Sequence, residues 1–136
     1  MGNRMISHID HFVLTVGSVS ASCLFYERVL HFRRVDAPGK PTALHFGNCK
    51  INVHEIGHSF EPKAKAPTLG AADFCLITEQ SIKELARHLQ AENVPIEVGP
   101  VARNGARGPM TSLYFRDPDG NLIEVSRYLS EAPVTV

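Results

Sequence analysis

Residues 8–16 read HIDHFVLTV and residues 71–78 read AADFCLIT, and the likeness between them decides the fold. In the first stretch Phe12, Leu14 and Val16 alternate with His11, Val13 and Thr15, the period-two pattern of a strand. Asp73-Phe74-Cys75-Leu76 repeats His11-Phe12-Val13-Leu14 at an offset of 62 residues (73 − 11). A strand that recurs at such an offset marks a chain built from two copies of one unit.

The segments after each strand agree with this. Residues 18–30 place Val19, Cys23, Tyr26 and Leu30 at helical spacing. Residues 78–92 carry Ser81 three places before Glu84, a capping-box signature, and an apolar stripe of Ile82, Leu85 and Leu89. That stripe reads as core rather than as a partner-binding face, because the sheet needs something to pack on. Three strand-like runs come after each helix: 32–37, 42–47 and 49–55, then 94–101, 110–116 and 121–128. Gly47-Asn48 and Asp117-Pro118-Asp119-Gly120 are turn sequences before the last strand of each half. Residues 102–109, ARNGARGP, read as a loop, and residues 57–70, GHSFEPKAKAPTLG, as a connector long enough to let the halves exchange between subunits.

The expectation is an α+β fold of two βαβββ modules whose mixed sheets curve into a cup. It forms one domain over residues 5–130, with module one at 5–56, the connector at 57–70 and module two at 71–130. A chain of 136 residues with 43% hydrophobic and 21% charged side chains has the apolar material for one such core. Fourteen basic residues balance fourteen acidic ones, so neither nucleic acid nor an anionic membrane surface is indicated as a partner. Three cysteines without a CxxC spacing suggest free thiols in a cytoplasmic setting. The chain shows no apolar signal core at residues 1–7 and no membrane-length run, and Ile6 stands where a myristoylation pattern wants Ser or Thr.

The repeat singles out four side chains. His11 and Asp73 are matching first-strand positions; laying Leu44 over Leu113 brings His54 nearly over Glu124 on the last strands. Matching positions face the same side of their sheets, so four ligand-capable groups can converge if the halves pack about a pseudo-twofold axis. Two imidazoles with carboxylates suit Zn, Ni, Mn, Co or Fe better than Ca or Mg. His11, His54 and Glu124 alone would leave open positions for substrate or water. Each has a plainer reading as a surface or hydrogen-bonded residue, and Asp73 also as a carboxylate orienting a histidine. Glu124, between Ile123 and Val125, would be costly on an inward face unless paired. Cys75 shares the face of Asp73 and reads as a small buried hydrophobe. His45 and Tyr114 stand beside Leu44 and Leu113 as repeat neighbours, able to line the pocket or the opposite side of the sheet. Arg103 and Arg107 offer weak anchors for an anionic substrate, their plainer reading being solvated charges.

DHFVLTV, the KINVHE strand and FRDPDGNLIEVS together resemble the vicinal oxygen chelate superfamily of glyoxalases, bleomycin resistance proteins and dioxygenases, from about residue 7 to 129. Within it, FEPKA and GPVARNGARGPM resemble glyoxalase domain-containing protein 5 and its bacterial relatives. The resemblance implies a paired-βαβββ cup with a metal held from each first and last strand, carried over by position to His11, His54, Asp73 and Glu124. Glyoxalase I resembles His–Glu–His–Glu in strand order, so the second and third positions here differ in type. The resemblance further implies a glyoxalase-type lyase or isomerase acting on a small vicinal-oxygen substrate such as an α-ketoaldehyde–thiol adduct, with Glu124 as the base. It also implies a homodimer with cups shared between subunits. The alternatives are an Fe(II) dioxygenase, a thiol transferase of the fosfomycin-resistance kind, both disfavoured by Asp73 in place of a histidine, and a non-catalytic drug-sequestering cup.

Overall fold

The computed structural model describes residues 4–129, which divide into two compact units meeting between Leu69 and Gly70. In the first, β1 (His11–Val16) leads to α1 (Val19–Leu30), β2 (Arg33–Val35), β3 (Thr42–Phe46) and β4 (Cys49–Glu55). In the second, β5 (Asp73–Ile77) leads to α2 (Ile82–Ala91), β6 (Val98–Gly105), β7 (Gly108–Arg116) and β8 (Leu122–Tyr128). The sheets have matching orders, β1-β4-β3-β2 and β5-β8-β7-β6, with the first and last strands parallel and the other pairs antiparallel. Each unit is therefore a βαβββ module, and the α+β reading holds. No helix among the described residues is long and apolar enough to cross a membrane.

Both helices start where a serine satisfies a free backbone N–H. Ser18 Oγ accepts from the Ala21 N–H at 3.1 Å and Ser81 Oγ from that of Glu84 at 3.1 Å, caps of about 1 kcal/mol each. Helix α1 ends at His31, whose left-handed backbone (φ 58°) lets its N–H and that of Phe32 reach back to Glu27 and Tyr26. Alternation then sorts the strands. Leu14, Val16, Leu44, Ile51 and Val53 are buried in the first unit, as are Cys23, Tyr26 and Val29 of α1. Rings of Tyr26, Phe32 and Phe46 stack in sequence, with centroids 5.6 and 4.3 Å apart. The second unit buries Leu113, Phe115, Ile123 and Val125, together with Leu85 and Leu89 of α2.

One expectation is corrected. Residues 102–109 are not a loop: β6 and β7 continue as an antiparallel hairpin to the Gly105–Gly108 pair, turning at Ala106-Arg107. The ladder bonds that extend it are made by backbone groups, which leave no side-chain alternation in ARNGARGP to read. The register shifts between Val98 and Val101, across Gly99-Pro100. Proline cannot donate to a ladder, and a Cβ on Gly99 (φ 115°) would lie 2.5 Å from the Ser112 carbonyl oxygen.

The turn before β8 is held by side chains. One carboxylate oxygen of Asp117 accepts from the N–H groups of Asp119 and Asn121, both at 2.9 Å, and the other from Asn121 Nδ2 at 2.8 Å. Asn121 Oδ1 in turn accepts from the Ala72 N–H at 2.9 Å, tying the start of β5 to the start of β8. This polar knot sets the register in which Cys75 faces Glu124.

Candidate functional site

The ladders identify which residues correspond between the units. His11 pairs with Lys50 as Asp73 pairs with Leu122; two residues on, Val13 pairs with Asn52 as Cys75 pairs with Glu124. The counterpart of Glu124 is therefore Asn52, and His54, opposite Thr15, corresponds to Ser126, opposite Ile77. Matching His54 to Glu124 was a slip of two residues. It arose because Leu44 corresponds to Phe115 rather than Leu113: Leu44 faces Ile51 as Phe115 faces Ile123. Likewise Tyr114 corresponds to Ala43, and His45 to Arg116. A two-residue slip preserves the face, so His54, Asn52 and Glu124 still lie on the side away from the apolar core.

In the first unit, Asn52 and His54 lie two places apart on β4, hence on one face, and both are buried. Asn52 Oδ1 is a buried acceptor without a hydrogen-bond partner. Such an orphan costs about 1–3 kcal/mol unless something occupies it. Burial pushes the His54 imidazole below its ordinary value, toward the neutral form that can ligate a metal. The ring of Phe60 lies over it at 5.3 Å between centroids, which gives the FEPKA segment of the connector a role. His11 is half exposed, and its Nδ1 donates to Asp10 Oδ2 at 2.8 Å. That bond, its largest cause, holds the Asp10 carboxyl below the usual range. It leaves Nε2 as the His11 nitrogen that Asp10 does not engage, the arrangement of a carboxylate-oriented histidine ligand. Asp10 was not among the sequence candidates, and the Asp-His dipeptide was its only signal.

In the second unit, Glu124 is half-buried. Its Oε2 accepts from Ser112 Oγ at 2.7 Å and from Ser126 Oγ at 3.0 Å, and the two hydroxyl oxygens are 2.6 Å apart. Cys75 Sγ lies 3.2 Å from Ser126 Oγ; burial of the sulfur is the main cause that pushes this thiol up, although the residue as a whole is exposed. A cavity of about 360 Å³ opens on this face, lined by Cys75, Ile77, Arg103, Met110, Glu124 and Tyr128, among others. Its wall is tight at Gly105, where a Cβ would lie 2.5 Å from Met110 Sδ. Arg103 donates from Nε to the Tyr114 hydroxyl at 3.0 Å, and the Arg107 guanidinium lies 4.3 Å from the centre of the Tyr128 ring. Asp73 is exposed at the start of β5.

Among the described residues no three His, Cys, Asp or Glu stand close enough to one another to hold a metal ion. The donor chemistry nevertheless fits a divalent cation on one specific ground: the orphaned Asn52 oxygen, a donor type outside that set, holds in the first unit the position that the Glu124 carboxylate holds in the second.

The glyoxalase/bleomycin resistance protein/dioxygenase superfamily profile matches residues 8–125. The chain belongs to this superfamily. A virulence protein of Salmonella typhimurium is 47% identical over 125 residues, which cover 92% of this chain and 87% of that protein. The structure of an integron cassette protein from the mobile metagenome of V. cholerae superposes with a TM-score of 0.89 at 48% identity, covering 93% of this chain and 99% of that one. Two less similar solved structures share the fold. A lactoylglutathione lyase from Agrobacterium tumefaciens has a TM-score of 0.69 at 22% identity, covering 90% of this chain and 94% of its own. A fosfomycin resistance protein from Listeria monocytogenes, in complex with Mn(II) and sulfate, has a TM-score of 0.66 at 19% identity, covering 93% and 94%.

Proposed function

We propose that this superfamily member is a divalent-metal-dependent enzyme of glyoxalase type, a lyase or isomerase acting on small molecules with neighbouring oxygens, such as an α-ketoaldehyde–thiol adduct. The observation that carries the reading is the state of Glu124. One of its oxygens is pinned by two serines, while the other takes no hydrogen bond among the described residues and the side chain lines a cavity. The proposed metal donors are His11 and His54 from the first unit and Asp73 and Glu124 from the second; Asn52 offers a further oxygen beside His54. Bound there, a divalent ion would supply Lewis acidity to the two substrate oxygens.

The chain's own residues would do the rest. The free oxygen of Glu124 would take a proton from the carbon bearing one substrate oxygen and return it to the neighbouring carbon. Arg103, with Arg107 and Tyr114 nearby, would hold an anionic group of the substrate, while Ile77, Met110 and the Tyr128 ring would line the apolar side. Asp10 would keep His11 in the tautomer that presents Nε2. The reading includes a homodimer in the cytoplasm, consistent with cysteines that are all free thiols; sedimentation of the purified chain as a monomer would remove the dimer.

The test is turnover of an α-ketoaldehyde–thiol adduct by protein loaded with Mn, Ni, Zn, Co or Fe. Glu124→Gln should lower turnover by about 10²–10⁴-fold. Absence of turnover with every metal, in protein shown to be folded and metal-loaded, would contradict the activity.

A further inference from the structure

The second unit gives Glu124 two hydroxyl contacts, and both fall on one of its oxygens. Ser112 and Ser126 are both fully buried and face each other across the β7–β8 ladder. Of two buried hydroxyls 2.6 Å apart, one can donate to the other, and the second O–H then needs another acceptor. Both lie within hydrogen-bond distance of the same oxygen, Glu124 Oε2, at 2.7 and 3.0 Å, and among the described residues neither bonds Oε1. Asp117, in the turn before β8, takes donors on both of its oxygens.

The repeat supplies an internal comparison. In the first unit the place of Ser126 is taken by His54. Counting back from Ala43, which faces Asn52 as Tyr114 faces Glu124, the place of Ser112 falls on Pro41, which has no hydroxyl. With neither serine present, the Asn52 oxygen is left without a partner. The pair of serines is thus a feature of the carboxylate-bearing unit alone. Around it, Cys75 Sγ contacts Ser126 Oγ at 3.2 Å, and Gly99 lets the bulged part of β6 approach the Ser112 carbonyl.

We propose that Ser112 and Ser126 are positioning residues that clamp Oε2 of Glu124 and thereby turn Oε1 toward the cavity for metal or proton. The inference rests on the reading of Glu124 as the working carboxylate. The clamp fixes the side-chain torsions of Glu124 before anything binds, so the ordering cost is met in the folded state rather than on binding.

The experiment is Mn²⁺ binding to the full chain by calorimetry, for the wild type, Glu124→Gln, Ser112→Ala, Ser126→Ala and the double serine variant, each with its metal-free melting curve. The double variant should bind Mn²⁺ about 10–100-fold more weakly, with each single variant intermediate and the melting transition still cooperative. If the double variant does not fold, the single variants carry the same comparison. Should Glu124→Gln weaken binding while no serine variant does, the clamp is overturned and the role of Glu124 stands. Should Glu124→Gln bind as the wild type does, the role of Glu124 falls and the clamp falls with it.

Discussion

Asn52 and His54 sit side by side on β4, yet burial acts on them in opposite senses. For Asn52 it strands an amide oxygen, so the metal-free protein carries an unfavourable contact that a cation would relieve. Asn52→Leu, which keeps the size and removes the orphan, should leave metal-free stability unchanged or raise it by up to about 1 kcal/mol, while weakening Mn²⁺ binding at least about 10-fold. Denaturant melts and calorimetry read the two effects separately; a clear loss of metal-free stability would mean the amide is already satisfied. For His54, desolvation favours the neutral ring, so its folded value lies below the ordinary 6.5. The unfolded chain then binds more protons than the folded one in the window just below 6.5. The stabilising contribution is complete above that pH and is lost as pH falls through the folded value. NMR titration of the His54 ring in metal-free protein should place its midpoint below 6.5, and His54→Gln should flatten the acid side of the stability curve. A midpoint at or above 6.5 would refute the burial argument.

At the scale of elements, the knot of Asp117, Asn121 and Ala72 decides where Glu124 points, because it fixes the register of β8 against β5. Asp117→Ala removes the acceptor of three hydrogen bonds in a buried turn and should cost about 2–4 kcal/mol, read as a lowered melting midpoint. A change under about 0.5 kcal/mol would show that the turn forms without it. The two-unit architecture was legible in the sequence because His11–Leu14 and Asp73–Leu76 share both alternation and polarity, and Ser81 with Glu84 marked the start of α2. The correspondence of the last strands was not legible. Leu44, Leu113 and Phe115 are all apolar positions of one face, and a slip of two residues leaves such a pattern intact. Hydrogen-bond register distinguishes what hydrophobicity cannot, and it makes Asn52, rather than His54, the counterpart of Glu124. The outer half of the β6–β7 hairpin was missed because ARNGARGP has no side-chain alternation to read; its ladder is backbone, and the Arg107 N–H at the turn donates to the Tyr128 hydroxyl at 3.1 Å. The serine clamp was invisible because Ser112 and Ser126 acquire meaning only through cross-strand pairing.

For the whole molecule, the claim is that two units of one design contribute unlike donors to one divalent ion: imidazole and amide from the first, carboxylates from the second. Neither unit has the set alone, since His11, Asn52 and His54 belong to the first and Asp73 and Glu124 to the second. The claim does not depend on whether the two units come from the same chain or from two copies. It is tested most directly by Mn²⁺ titration of the purified chain beside its His11→Ala and Glu124→Ala variants. The account predicts about one ion per chain for the wild type and a loss of binding of at least about 10-fold in each variant alone. Wild-type protein that takes up no Mn²⁺, Zn²⁺ or Ni²⁺, or binding that survives both substitutions, would contradict it.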